Sequence, residues 1–133
     1  MKLTQKQYEM FINKSIDYKQ NKFKNKKIIY DGITFDSIKE KNRYIELKIL
    51  EKSGLIKDLE LQKVFELQPS FKKNDKTYRK ITYKSDFYYF DNENGKYIVE
   101  DVKASEKFKT EVYKLKKKMF EYKYNDLEIR EIY

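Results

Sequence analysis

The sequence predicts an α/β fold in which helices flank a mixed β-sheet, with an extra helix at the N-terminus. Three observations lead there. Two long segments repeat apolar residues at helical spacing, several shorter runs rich in Tyr, Phe, Ile and Val have strand composition, and the two kinds alternate along the chain. Residues 1–27 read as a basic N-terminal helix and linker, and residues 28–133 as one folded domain.

The elements follow in order. Thr4 and Gln7 have the spacing of a capping box, and Tyr8, Phe11, Ile12 and Ile16 then form a narrow apolar stripe, which predicts a helix to about Lys19. The Lys- and Asn-rich residues 20–27 read as a linker, so this helix is free to stand apart from the core or dock on a partner subunit. Ile28 to Tyr30 and Ile33 to Phe35 are short extended pieces joined by Asp31-Gly32, a strong hairpin signal. Ser37 opens a helix that should stop at Gly54, where glycine suits the left-handed C-terminal position.

Leu59 to Leu67 reads as a strand broken by Gln68-Pro69, and Tyr78 to Phe90 as a long β-rich run that carries Asp86. A turn over residues 91–95 leads to a strand from Tyr97 to Lys103, expected antiparallel to the preceding run. Phe108, Val112, Leu115, Met119 and Tyr122 recur at spacings of four and three, predicting a helix that lays this face on the sheet. Leu127, Ile129 and the closing residues read as a last strand.

Composition excludes whole classes of chemistry. The chain has 133 residues, 40% of them charged, yet 13 Tyr and 9 Phe supply enough apolar area for one core beneath a polar surface. Without Cys there is no disulfide, thiolate nucleophile or Cys-based zinc site, and without His there is no catalytic triad or imidazole ligand. Any catalysis must use carboxylates, Lys, Tyr or a hard cation; carboxylate oxygens prefer Mg²⁺ or Mn²⁺. No run of about 18 apolar residues and no signal-peptide pattern is present, so the expectation is a cytoplasmic protein without membrane spans.

The formal net charge is +9, which suggests a polyanionic partner. Residues 1–27 carry eight lysines against two carboxylates, whereas residues 28–103 carry 15 basic and 14 acidic groups. Lys114, Lys116, Lys117 and Lys118 crowd one short helical stretch. Such charges fix position on phosphates without reading sequence, although a lysine-rich solvated face has the same composition.

The segment Asp101-Val102-Lys103 ends an apolar strand-like run, with Asp86 fifteen residues upstream. Strand alternation places Asp101 and Lys103 on one face, about 7 Å apart, so a carboxylate and a cation share a small space. Glu100 is a rival ligand, but alternation sends it to the other face. Glu40 completes a Ser-x-x-Glu capping box with Ser37, which accounts for its identity. It also shares a helical face with Tyr44, Leu47 and Leu50, which leaves its carboxylate equally placed to reach a cation.

Ser37-x-x-Glu40, Leu59-Glu60-Leu61-Gln62, Asp86, and Asp101-Val102-Lys103 followed by a Lys-rich helix together resemble the PD-(D/E)XK nuclease superfamily. More specifically, the chain is similar over roughly residues 25 to 132 to small phage proteins of uncharacterised function placed in that superfamily, related in fold to Holliday junction resolvases. It departs from the superfamily's Pro-Asp pair with Ser85-Asp86.

The resemblance implies a restriction-endonuclease-like fold. It implies that Asp86, Asp101 and the carbonyl of Val102, with Glu40 directly or through water, bind Mg²⁺ or Mn²⁺. Lys103 would orient or help deprotonate the attacking water, and Gln62, Tyr113, Lys116 and Lys117 would contact DNA. The expected activity is structure-specific endonucleolytic cleavage of branched DNA in phage DNA processing, by a homodimer in the host cytoplasm. The alternatives are a non-catalytic DNA-binding protein and a phage protein that binds a host protein.

Overall fold

The computed structural model describes residues 4, 17–20 and 26–133. The chain divides into two compact units, Met1–Leu55 and Ile56–Tyr133. The first contains an antiparallel three-stranded sheet in the order β1 (Asp17–Gln20), β2 (Lys26–Tyr30), β3 (Ile33–Phe35), followed by helix α1 (Ile38–Lys52). The Asp31-Gly32 hairpin forms as expected, with φ of 56° and 74°, the positive values that a tight two-residue turn between twisted strands requires.

Both ends of α1 are where the sequence placed them. Ser37 Oγ accepts the Glu40 N–H at 3.0 Å, and beyond Lys52 the chain closes with Gly54 N–H on Glu51 O at 3.1 Å and Leu55 N–H on Leu50 O at 3.0 Å. This pair of bonds is the Schellman arrangement, and it needs the left-handed residue that Gly54 supplies at φ 79°. Tyr44 is buried against Phe35, ring centroids 5.2 Å apart, and its hydroxyl donates to Asp31 Oδ2 at 2.9 Å, tying the helix to the hairpin turn.

The N-terminal helix expected to Lys19 needs correction at its end. Residues 17–19 lie in β1, whose register runs from Asp17 opposite Ile29 to Gln20 opposite Lys26. The free edge of β2 presents backbone donors and acceptors that need partners, and meeting them outweighs the weak helical preference of a short polar stretch. Gln20, and Lys26 with Lys27, all expected in the linker, belong to β1 and β2 respectively. The rest of that helix, Tyr8, Phe11, Ile12 and Ile16 included, lies outside the described residues.

The second unit is built on one long β-ribbon. Strands β4 (Ile56–Leu61), β5 (Val64–Gln68) and β6 (Phe71–Lys73) run out, and β7 (Lys76–Tyr78), β8 (Ile81–Lys84) and β9 (Phe87–Asp91) run back in nearly constant register, from Ile56 opposite Asp91 to Lys73 opposite Lys76. The strands expected at residues 59–67 and 78–90 are therefore each broken. The breaks fall opposite one another, at Gln62-Lys63 and Ser85-Asp86, where Gln62 N–H donates to Asp86 O at 3.1 Å and Ser85 N–H to Lys63 O at 3.0 Å. Gln62 takes φ 54°, so the ribbon bends there while keeping its backbone bonds.

The bend lets the two halves join different layers. Below it, β9 pairs with β4 on one side and with β10 (Lys96–Val102) on the other, and β10 pairs in parallel with β11 (Ile129–Ile132), giving a mixed sheet in the order β11-β10-β9-β4. Above it, β5 and β8 pack under helix α2 (Glu111–Lys123). The core between these parts is Phe65, Leu67, Tyr83, Val99, Phe120 and Ile129. The mixed α/β class expected from the sequence is what the structure has.

The face of α2 differs from the expected one. Phe108, expected in the helix, lies in a separate 3-10 turn (Glu106–Phe108) before it. Phe108, Val112, Leu115 and Tyr122 are exposed, Tyr122 at 89%, whereas Phe120 is fully buried and rings Phe65, Tyr83 and Tyr124 surround it at 5.0 to 5.5 Å. Tyr113, Met119 and Tyr124 are half-buried and pack with Phe120 on the core, so Met119 of the expected stripe does face it, and Lys116 and Lys117 are half-buried between Tyr113 and Phe120. Lysine stems can lie along apolar surface while their ammonium groups stay wet, so two half-buried lysines beside Phe120 hide part of the packed face in the sequence. Among the described residues no helix is long and apolar enough to cross a membrane.

Candidate active site

The site grows out of the C-terminal end of β10, flanked by the ribbon bend on one side and by β11 on the other. At the bend, Asp86 follows β8 rather than lying within a strand, as the sequence reading had it. Its N–H donates to Glu100 O at 3.0 Å, its carbonyl accepts from Gln62, and its carboxylate Oδ2 accepts the N–H of Val102 at 2.7 Å. Two backbone bonds thus fix Asp86 at the bend beside β10, and the third, from Val102, holds its carboxylate at the Asp101-Val102-Lys103 segment.

Asp101 is 7% exposed. Tyr83 Oη donates to its Oδ2 at 2.7 Å, and Lys103 Nζ lies 2.8 Å from its Oδ1. Burial, then the negative charge of Asp101 and this hydrogen bond, push the Tyr83 phenol far above its ordinary value, so it serves as a permanent donor. Lys103 Nζ also sits 3.4 Å from the centroid of the Tyr113 ring, a cation–π contact that closes the ammonium in from the α2 side.

Tyr113 is anchored in turn. Its hydroxyl donates to Glu131 Oε2 at 2.8 Å, and Glu131 Oε1 receives Lys109 Nζ at 2.8 Å, with Lys117 Nζ at 3.6 Å. Burial drives the Tyr113 phenol upward, helped by the Glu131 bond and the charge of Asp101. Burial alone would raise the Glu131 carboxyl too, but the bonds from Lys109 and Tyr113 and the charge of Lys117 hold it below its ordinary 4.5. A lowered folded-state value stabilises the fold above the unfolded value and loses that contribution as pH falls through the folded one. The stability difference between wild type and Glu131→Gln is therefore expected to be greatest above about pH 4.5 and to shrink toward pH 3. Urea titrations across that range check it, and a gap that widens on acidification contradicts it.

The remaining predicted site residues are placed as follows. Glu100 is fully buried and accepts a hydrogen bond from Tyr89 Oη, while Asp101, next along the strand, turns to Tyr83 and Lys103. Gln62 is exposed at the ribbon bend, not on a strand as expected. Tyr113 and Lys117 are engaged within the protein, around Glu131, and Lys116 is half-buried beside them on α2. Glu40 belongs to the first unit, where it is buried in the first turn of α1 with its N–H capped by Ser37. The site geometry is that of the second unit's own residues.

Sequence reading missed Tyr83, Lys109 and Glu131. Glu131 left one trace, an acidic residue inside the last apolar strand, but only the parallel register shows that it stands opposite Asp101. Tyr83 is one of 13 tyrosines, and nothing local distinguishes it.

The donor set suits a hard divalent cation held by few protein ligands. A carboxylate offers about four acceptor positions, and at Asp101 two are taken by Tyr83 and Lys103. Asp86 Oδ2 has given one to Val102. Mg²⁺ commonly takes one or two carboxylates and keeps water in its other positions, a donor set that Asp86 and Asp101 with the Val102 carbonyl match in kind. Among the described residues no group of three Asp, Glu, His or Cys side chains forms a metal cage, so the fit is to this sparse kind of site.

A family model described as protein of unknown function (DUF1064) matches residues 20–133. The chain belongs to this family. The DUF1064 match takes in every residue of the site, together with α1 and Glu40. No curated protein and no solved structure matches the chain.

Proposed function

We propose that this DUF1064 protein is a divalent-metal-dependent endonuclease that hydrolyses phosphodiester bonds in branched DNA, with Asp86, Asp101 and the Val102 carbonyl as ligands to Mg²⁺ or Mn²⁺. The observation that carries the reading is the 2.7 Å bond from Val102 N–H to Asp86, which fixes a second carboxylate at the backbone between Asp101 and Lys103. Bound there, the cation supplies Lewis-acid stabilisation of the phosphoryl oxygens and a lowered pKa for coordinated water.

The protein's own groups do the positioning. Lys103, confined between Asp101 and the Tyr113 ring, holds its ammonium where it offsets phosphate charge and orients a water. Tyr83 donates to one oxygen of Asp101 and so orients the carboxylate, leaving lone pairs for coordination. Glu131 fixes Tyr113 through its hydroxyl. Paired cuts across a junction need two such centres, hence two copies of the chain.

One observation favours a second reading, a DNA-binding protein without catalysis: the Asp101–Lys103 pair neutralises itself, and no third carboxylate joins it among the described residues. A panel of linear, nicked, flapped and four-way DNAs, incubated with Mg²⁺, Mn²⁺ or chelator, separates the two. Metal-dependent cutting with preference for four-way DNA is the expected result. Binding in chelator without cutting under either metal would overturn the endonuclease and leave the binding protein.

A further inference from the structure

Twelve residues at the far end of the ribbon, 69–80, are all exposed. They comprise β6, β7 and their flanks, and they carry Lys72, Lys73, Lys76, Arg79 and Lys80 against a single carboxylate, Asp75. In the sequence this concentration is hidden, because residues 28–103 as a whole are almost neutral. The fold exposes it by carrying the hairpin beyond the β5–β8 pair that packs under α2, so that the arm reaches roughly 15 Å past Pro69 at about 3.3 Å per residue.

The arm is built to hold its form. Phe71 and Tyr78 face each other across the ladder with ring centroids 4.8 Å apart and planes 10° from parallel, and Lys76 Nζ lies 5.1 Å from the Tyr78 centroid. Asn74 and Asp75 take φ of 53° and 60° at the tip, the positive values of a type I′ turn, which Asn and Asp tolerate better than other side chains. Asp75 is thus accounted for by the turn. Strand alternation puts Lys73 and Lys76 on the face of the aromatic pair and Lys72 on the other, so cations project from both sides of the ribbon. Lysines on a bare strand edge guard it against aggregation, but here Arg79 and Lys80 carry the cationic run beyond the ladder, where there is no strand edge to guard. A ribbon whose other charges are all positive points to a polyanion.

We infer that the β6–β7 arm is a duplex-DNA-binding ribbon that lies in the major groove with its lysines on the phosphates of both walls. A two-stranded ribbon fits the B-DNA major groove, which is about 12 Å wide, whereas the major groove of duplex RNA is too deep and narrow. The inference rests on the DNA reading of the proposed function and not on catalysis, because the arm is separate in sequence and in layer from the Asp86–Asp101–Lys103 centre.

The test is binding of the full chain to a labelled DNA duplex in chelator, where no cutting intervenes, across a salt series. A variant with Lys72, Lys73, Lys76, Arg79 and Lys80 all replaced by Gln is compared with one in which exposed Lys52, Lys57, Lys84, Lys96 and Lys107 are replaced in the same way. If about four of the arm's cations neutralise phosphates, their removal should lower the slope of log affinity against log salt by about 3 to 4, and affinity near 0.1 M salt by about a hundredfold or more. The second variant should lose far less. Equal losses in both variants, an unchanged slope in the arm variant, or no duplex binding by wild type would overturn the inference. So would equal or tighter binding to duplex RNA, single-stranded DNA or anionic vesicles. Lysine acetylation footprinting on the wild-type chain gives a readout free of any folding defect. Lys72, Lys73, Lys76 and Lys80 should be protected by the duplex, and unaltered labelling contradicts the arm's role. If wild type binds through the arm but cuts nothing with Mn²⁺, catalysis falls and the arm stands; if it cuts while the arm variant binds undiminished, the reverse holds.

Discussion

Asp101→Asn is expected to remove metal-dependent cleavage of four-way DNA by about 10³-fold or more while the protein stays folded and binds DNA in chelator. The magnitude follows from the several kcal/mol of transition-state charge stabilisation a bound divalent ion supplies, at about 1.4 kcal/mol per tenfold in rate. The fold should tolerate the change because the Asn carbonyl can still accept the Tyr83 hydroxyl, now 2.7 Å from Asp101 Oδ2. Affinity for DNA should hold or rise, since a negative charge is lost from the site. Lys103→Ala should also abolish cutting by removing the only lysine that contacts Asp101 among the described ion pairs. Wild-type cutting rates in both variants would remove this centre from the chemistry.

The second large effect concerns the core. Phe120→Ala should destabilise the protein by about 3 to 5 kcal/mol, because a fully buried ring surrounded by Phe65, Tyr83 and Tyr124 leaves a cavity when truncated. Leu115→Ser, one turn away on the same helix but 58% exposed, should change stability by only about 0.5 kcal/mol. Urea unfolding of the two variants ranks them directly. The reverse order would mean that the 108-112-115-119-122 stripe is the packed face. Because Tyr83 touches Phe120 and holds Asp101, a weakened core should also loosen the site.

Much of the first unit was legible from local rules. Ser37 and Gly54 bound α1 because a side-chain acceptor is needed at one end and a left-handed residue at the other, and both needs are met within a few residues. Asp31-Gly32 likewise encodes its own turn. In the second unit the same kind of reading found Asp101 and Lys103, since period-two alternation is a property of the strand itself.

Where partners come from distant segments, local pattern was misleading or silent. Residues 17–19 were expected to be helical and became an edge strand because β2 offered bonds to fill. Of the expected α2 stripe only Met119 packs on the core, because the buried residue, Phe120, is chosen by Phe65 and Tyr83 on distant strands. Asp86 was expected within a strand, and its position at the bend depends on Gln62 and Lys63, more than twenty residues away.

The amino-acid sequence by itself determined the ends of α1, the β2–β3 turn, the absence of thiol and imidazole chemistry, and the pairing of Asp101 with Lys103. Tertiary structure alone decided that Asp86 joins them, that Tyr83, Tyr113 and Glu131 support them, and that a nearly neutral stretch concentrates its cations on one arm. The physical reason is range: caps, turns and alternation are settled by residues within a turn or two of one another, whereas strand register and burial are settled by whichever segments the whole chain brings together.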